Sequence, residues 1–249
     1  MKSRFIGLIL FGLVLVSCGD DVNTNSFSPE EYFEYARDLY INEDYEHSLK
    51  EFQSILLQYP GSTITDDAQY FLGMTYFKRE EFLLSAYEFS KLIRDIPASE
   101  FVPEAQFMLA ESYYNLSPNY QLDQAYTKKS IEEFQAFIDF FPLDNKVEEA
   151  EAKIKELNIK LARKTFSNAY IYEKMEYNKA ALKYYDTVVN TYHDTQYAPQ
   201  ALYRKIKLNL DLKNTTDAIK DIDTYLKKYP DDVNAVEISE LEQELLGSN

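Results

Sequence analysis

Tryptophan is absent from this chain of 249 residues, and the counts of Cys (one), His (two) and Gly (six) are low. Each shortage closes a class. A single Cys forms no internal disulfide, and Cys18 with His47 and His193 makes too poor a donor set for a metal site. Six glycines are too few for a Gly-rich phosphate cradle, or for an all-β protein built on tight hairpin turns. Neither metal nor cofactor is therefore expected, beyond any covalent lipid. Basic residues are also scarce, with 26 Lys+Arg against 42 Asp+Glu and a net charge of −16. A phosphate backbone needs a positive face, so nucleic acid is not an expected partner. No nucleophile stands out with a base and an orienting group. Acidic pairs such as Glu30-Glu31, Asp66-Asp67 and Glu148-Glu149 fall mostly at helix starts, where carboxylates complement the dipole. The chain reads as a non-enzyme. What it does have, 45% hydrophobic residues with 22 Tyr and 16 Phe, argues against disorder and suits a long helical protein.

The N-terminus carries Lys2 and Arg4, then an apolar run over residues 5–16. Twelve residues are too few to span a bilayer, which takes about 20. Positive flank, short apolar core and small residues describe a secretory signal over residues 1–17. Leu15-Val16-Ser17-Cys18 resembles the lipobox of bacterial lipoproteins. That resemblance implies cleavage before Cys18 and lipid on its thiol, a stable membrane attachment when two or more acyl chains are present. Gly19 after the Cys is compatible with the outer membrane. Residues 18–28 form the lipidated Cys and a polar tether reaching roughly 18 Å.

Beyond the tether, one terminator recurs: Tyr59-Pro60-Gly61-Ser62, Ile96-Pro97-Ala98-Ser99, Phe141-Pro142-Leu143-Asp144, Tyr192-His193-Asp194-Thr195 and Tyr229-Pro230-Asp231-Asp232. An amphipathic helix precedes each stop, as in Leu49, Phe52, Leu56 and Tyr59, or Ala86, Phe89, Ile93 and Ile96. A partner helix precedes each of these. The first opens on Ser28-Pro29-Glu30-Glu31, a capping box with Pro at the first helical position. Small residues punctuate the first four partners, at Ala36, Gly73, Ala110 and Ala169, with Ile206 in the fifth. Helix pairs of this length, with a small residue in the first helix, an aromatic in the second and Pro at the end, resemble the tetratricopeptide repeat. The resemblance implies an all-α fold, a right-handed superhelix of five such hairpins; a helical bundle without superhelix is the alternative. Residues 29–146 hold repeats one to three, with an insertion at 117–129. Residues 147–246 hold a connecting helix and repeats four and five.

In this family the first helix of each repeat lines the inner face. Its fifth position is aromatic throughout: Phe33, Tyr70, Phe107, Phe166 and Tyr203. Its twelfth is Tyr40, Phe77 and Tyr114 in the first three repeats, and positions seven apart share a helix face. The six aromatics Phe33, Tyr40, Tyr70, Phe77, Phe107 and Tyr114 therefore form either a groove for an apolar peptide or a packing seam between repeats. In the fifth repeat Arg204, Lys205 and Lys207 form a basic cluster, either a surface for an acidic partner or a solvated helix face.

Lipobox, short tether and five such repeats, in that order, resemble the BamD family, the lipoprotein subunit of the outer-membrane β-barrel assembly machine. The resemblance covers essentially the whole chain. It implies a periplasmic location on the outer membrane, held by lipid on Cys18. It implies as partners the barrel subunit BamA, other lipoproteins of the machine and unfolded β-barrel substrates. The C-terminal repeats would bind BamA, and the N-terminal repeats would receive substrate. A different periplasmic repeat lipoprotein, linked to peptidoglycan or envelope machinery, is the competing reading.

Overall fold

The computed structural model describes residues 24–247; the signal segment and Cys18 lie outside them. After a 3-10 turn at Thr24–Ser26, the described residues form eleven α-helices. They pair as α1 (Pro29–Ile41) with α2 (Tyr45–Gln58), α3 (Thr65–Lys78) with α4 (Phe82–Asp95), α5 (Val102–Leu116) with α6 (Ala125–Phe140), α7 (Val147–Lys174) with α8 (Asn178–Thr191), and α9 (Tyr197–Asp211) with α10 (Thr215–Lys228). A final helix, α11 (Ala235–Gly247), packs on α10. Each helix packs on the next in chain order, and α1 also meets α3, as α7 meets α9. This is the nearest-neighbour architecture of stacked hairpins, whose faces are buried only by their neighbours.

The helix boundaries follow from local chemistry. Ser28 and Glu31 close the expected capping box: the Glu31 N–H donates to Ser28 Oγ at 3.2 Å and the Ser28 N–H to Glu31 Oε2 at 2.9 Å. All five terminators are helix ends, with Tyr59, Ile96, Phe141, Tyr192 and Tyr229 at the C-caps. The turn that follows is the same each time. The N–H of Ser62, Ser99, Asp144, Thr195 and Asp232 reaches back to the capping residue's carbonyl, and the helix ahead starts about three residues later. His193 takes the Pro slot in the fourth turn without changing it.

The turns inside the hairpins explain how a glycine-poor chain reverses so often. Glu43, Glu80, Glu176 and Lys213 adopt φ of 63°, 60°, 61° and 61°. Each donates its N–H to the carbonyl three residues back, and the next residue donates to the carbonyl five back. That is a Schellman ending, which usually takes Gly at the left-handed residue. Four charged residues accept that conformation here, at roughly 1 kcal/mol each. The third hairpin has no such turn, because its helices are joined by the longer loop over residues 117–124.

Within the hairpins the small residue of the first helix faces the large residue of the second. Gly73 is the tightest case: a Cβ there would lie 2.8 Å from Cε1 of Phe89. Ala36 shares a buried cluster with Phe52, Ala110 with Phe134 and Ala169 with Tyr185. The fifth hairpin departs from the pattern by exchange. Ile206 replaces the small residue and Ile222 the aromatic, both fully buried in one cluster. Two medium side chains fill the space of a small and a large one, the kind of swap cores tolerate best. The helix expected ahead of the fourth repeat is continuous with it, since α7 runs 28 residues.

Candidate functional site

The odd-numbered helices carry the residues expected to bind partners. Of the six aromatics, Phe33 and Phe107 are only 6% and 4% exposed. Phe33 packs against Phe52 and Phe71, at 5.9 and 5.7 Å between ring centroids. Phe107 lies against Phe134 and Phe137, with Lys146 Nζ 4.7 Å from its centroid. The expected groove contact is thus corrected for these two, which are core. The reason is geometric: the fifth position of each first helix points at the second helix of its own hairpin as well as along the stack.

The other four are half-buried. Tyr40 meets Tyr45 and Phe71 edge-on, Phe77 meets Phe82, and Tyr70 stacks on Phe101 at 4.6 Å. Burial raises the Tyr70 phenol well above its ordinary range, with the Glu104 charge adding to it. Tyr114 donates its hydroxyl to both oxygens of Glu156, at 2.9 and 2.8 Å, and lies under Lys153 at 4.3 Å. Between the rows Arg37 pairs with Glu34 at 2.5 Å through Nη2, while its Nε is buried without a partner. The six residues therefore do not form one open row. The partly exposed set is Tyr40, Tyr70, Phe77 and Tyr114.

Between α5 and α7 the surface is zipped by polar pairs. Lys146 reaches Glu104, and Lys153 reaches Glu111, each at 2.5 Å. Tyr114 to Glu156 is the third rung, 42 residues apart like the Glu104–Lys146 pair. Burial raises Glu111 above the usual carboxylate range even though Lys153 pulls it down. This ladder was not foreseen, because its partners sit on different repeats separated by the insertion.

The basic cluster of the fifth repeat, read as either a partner surface or a solvated helix face, is tied into the fold by ion pairs. Its members point apart, and each has a carboxylate partner. Arg204 pairs with Glu173 at 3.2 Å and lies over Tyr170 at 4.5 Å. Lys205 bridges Asp186 and Asp221 at 2.8 and 3.0 Å, and Lys207 meets Glu237 at 3.2 Å. Lys205 is the most buried of the three, while Arg204 and Lys207 stay partly exposed. His47 serves the turn into α2, with Nδ1 2.9 Å from Asp44, whose carboxyl it holds below the usual range. No group of His, Cys, Asp and Glu suited to a metal occurs among the described residues, and no described helix is long and apolar enough to cross a membrane.

One device recurs that sequence reading missed. Tyr32 donates to Glu51, Tyr114 to Glu156, Tyr185 to Glu173, Tyr203 to Glu237 and Tyr225 to Asp232. In a chain where acids far outnumber bases, tyrosine hydroxyls add donors, beside a cation at Glu173 and Glu237 and, among the described residues, without one at Glu51, Glu156 and Asp232. In every one of the five, burial first and then the carboxylate raise the phenol above 10.0, to about 12 for Tyr114. The consequence has a definite sign. Below pH 10 both states keep these protons. Above it the unfolded chain loses them first, so the fold binds more protons and stability falls with rising pH. Urea unfolding between about pH 9 and 12 is expected to show a steep loss of stability beginning near pH 10, and Tyr114→Phe is expected to reduce that slope. A stability that stays flat through this window would refute the account.

A family model described as "YfiO: Outer membrane lipoprotein" matches residues 25–216. The chain is similar to the "Outer membrane protein assembly factor BamD" of Rickettsia prowazekii (strain Madrid E), at 25% identity over 225 residues, which is 90% of this chain and 90% of that protein. Among solved structures it is similar to TTC0263, a thermophilic TPR protein from Thermus thermophilus, with TM-score 0.38 and 15% identity over 88% of this chain and 99% of that one. It is also similar to a tetratricopeptide repeat protein from Parabacteroides merdae ATCC 43184, with TM-score 0.39 and 11% identity over 88% of this chain and 73% of that one.

Proposed function

The chain belongs to the YfiO family of outer membrane lipoproteins, and from that membership we propose that it is a lipid-anchored scaffold of outer-membrane protein assembly. Lipid on Cys18 holds the stacked hairpins on the periplasmic side of the membrane. The odd-numbered helices of the first three hairpins receive unfolded β-barrel substrates, through the partly exposed Tyr40, Tyr70, Phe77 and Tyr114. Hairpins four and five bind a barrel subunit resembling BamA. The protein works by holding polypeptides side by side and does no covalent chemistry of its own.

The observation that carries this reading is the breadth of the likeness. A protein named as an outer membrane protein assembly factor matches 90% of this chain, over 90% of its own length. The likeness is therefore not one of an isolated repeat, which unrelated scaffolds also contain.

Isolation of the native lipidated protein from detergent-solubilised membranes, followed by mass spectrometry, tests the reading. The expected result is a β-barrel membrane subunit at near-stoichiometric yield, together with other lipoproteins. Recovery of peptidoglycan-associated proteins without a barrel subunit would replace this role with that of a different periplasmic adaptor.

A further inference from the structure

The most basic stretch of this acidic chain lies within α7. Between residues 153 and 164 stand Lys153, Lys155, Lys160, Arg163 and Lys164, with Glu156 as the one acid. Lys153 is taken by Glu111. Three of the others are held by neutral groups. Lys160 Nζ donates to Ser117 Oγ at 2.9 Å, and Lys164 Nζ to the Leu122 carbonyl at 2.7 Å. The Arg163 guanidinium lies 4.1 Å from the centroid of the Tyr120 ring. This contrasts with Arg204, Lys205 and Lys207, each of which already has a carboxylate.

Lys160 and Arg163 line a cavity of about 570 Å³ between the loop over residues 117–124, α7 and the start of α9. Its walls combine the two cations with Pro118, Tyr120, Ile159 and Tyr197. Glu156 also lines it, but both its oxygens accept from Tyr114. Two cations without carboxylate partners thus face a space whose walls join Pro118, Tyr120, Ile159 and Tyr197 to the polar Ser117, Asn119 and Gln196.

We propose that this cavity binds an acidic segment of a partner protein, a carboxylate seated on Lys160 and Arg163 with an adjoining apolar side chain against Ile159 and the two tyrosine rings. The guanidinium fork suits a carboxylate, and its seat over the Tyr120 ring holds it at the cavity wall. Charge complementarity selects the occupant: Lys160 and Arg163 bring two positive charges to one concavity, with a hydroxyl and a ring rather than a carboxylate as their partners. An anionic lipid surface fits less well. Adsorption to one takes several basic side chains on one open face, whereas Lys153 is held by Glu111 and the cavity itself is lined by two cations beside rings. The inference goes beyond the proposed scaffold role and stands without it, because it rests on the cavity alone.

Fluorescence anisotropy with the full chain in nonionic detergent tests it. The probes are a labelled Glu-Leu-Glu-Phe-Glu amide and its Gln-Leu-Gln-Phe-Gln counterpart. The Glu peptide is expected to bind roughly tenfold tighter or more, and to weaken as salt rises. Lys160→Gln with Arg163→Gln is expected to remove that advantage, while Lys155→Gln, exposed on the same helix, leaves it intact. The comparison of the two peptides uses the unaltered chain, so it decides the matter even where the double variant does not fold. Equal binding of the two peptides overturns the proposal. So does glycerol phosphate, as a lipid headgroup probe, binding where the Glu peptide does not.

Discussion

Phe89→Ala is expected to lower the stability of this protein by roughly 3–5 kcal/mol. Phe89 is fully buried and packs on Gly73 from the neighbouring helix, with Tyr70 5.9 Å away between ring centroids. Truncation removes the transfer free energy of a whole ring and leaves a cavity that two antiparallel helices cannot collapse into. The reciprocal change tests the same contact from the other side. Gly73→Ala would place Cβ 2.8 Å from Cε1 and 3.0 Å from Cδ1 and Cζ of Phe89. The helical gain from Ala is about 1 kcal/mol, and overpacking costs about 1–3 kcal/mol, so a net destabilisation is expected. Phe89→Leu in the Gly73→Ala background is expected to cost less than the two single changes added together, because a smaller side chain makes room for the methyl. Urea unfolding of the parent, the two single variants and the double variant measures this. Strict additivity would show that the close approach does not set the packing of this hairpin.

That contact also marks how far the sequence could be read. Helix ends were legible because they are local. An apolar residue followed by Pro, or by His193 in the fourth case, stops a helix within its own turn, and all five stops stand at C-caps. The capping box at Ser28 is local in the same way. The small positions were legible as a pattern, since Ala36, Gly73, Ala110 and Ala169 recur in register. What each one faces was not, because the partner lies across a turn. The exchange at Ile206 and Ile222 shows why: a departure in one helix acquires a meaning only with its compensation in the next. The helix α11 escaped notice because it follows the last terminator and carries no stop of its own.

The candidate surfaces were less legible for a related reason. A residue's place on a helix face follows from the sequence, but whether that face is covered depends on neighbours dozens of positions away. Phe33 and Tyr70 occupy the same position in successive repeats. Phe33 is core, while Tyr70 keeps part of its ring exposed beside Phe101. The bias toward Tyr and the excess of acids appeared in composition as two separate facts. They are joined in the fold by hydroxyls that donate to carboxylates, such as Tyr185 to Glu173 at 2.5 Å. Cations follow the same logic. Lys205 on α9 is held between two carboxylates, whereas Lys160 and Arg163 on α7 have a hydroxyl and a ring for partners.

Lys205 therefore provides the sharpest separation between a binding role and a structural one. Its ammonium bridges Asp186 and Asp221, and the side chains of Lys205 and Asp221 are 18% and 11% exposed. Asn209 completes the site by donating to Asp221 at 3.1 Å. Burial already raises the Asp221 carboxyl above its usual range, against the pull of Lys205. Removing the ammonium leaves a buried carboxylate with only an amide for company, so Lys205→Met is expected to cost roughly 3–5 kcal/mol. Lys205→Met with Asp221→Leu is expected to recover most of that loss, since an apolar pair of similar volume needs no compensation. Lys207 and Glu237 are both more than two-fifths exposed, and Lys207→Ala is expected to change stability by no more than about 1 kcal/mol. Urea unfolding ranks the three variants. If Lys205→Met instead left stability unchanged and weakened capture of the barrel subunit, Lys205 would belong to the partner surface, and its bridge to two aspartates would be incidental to the fold.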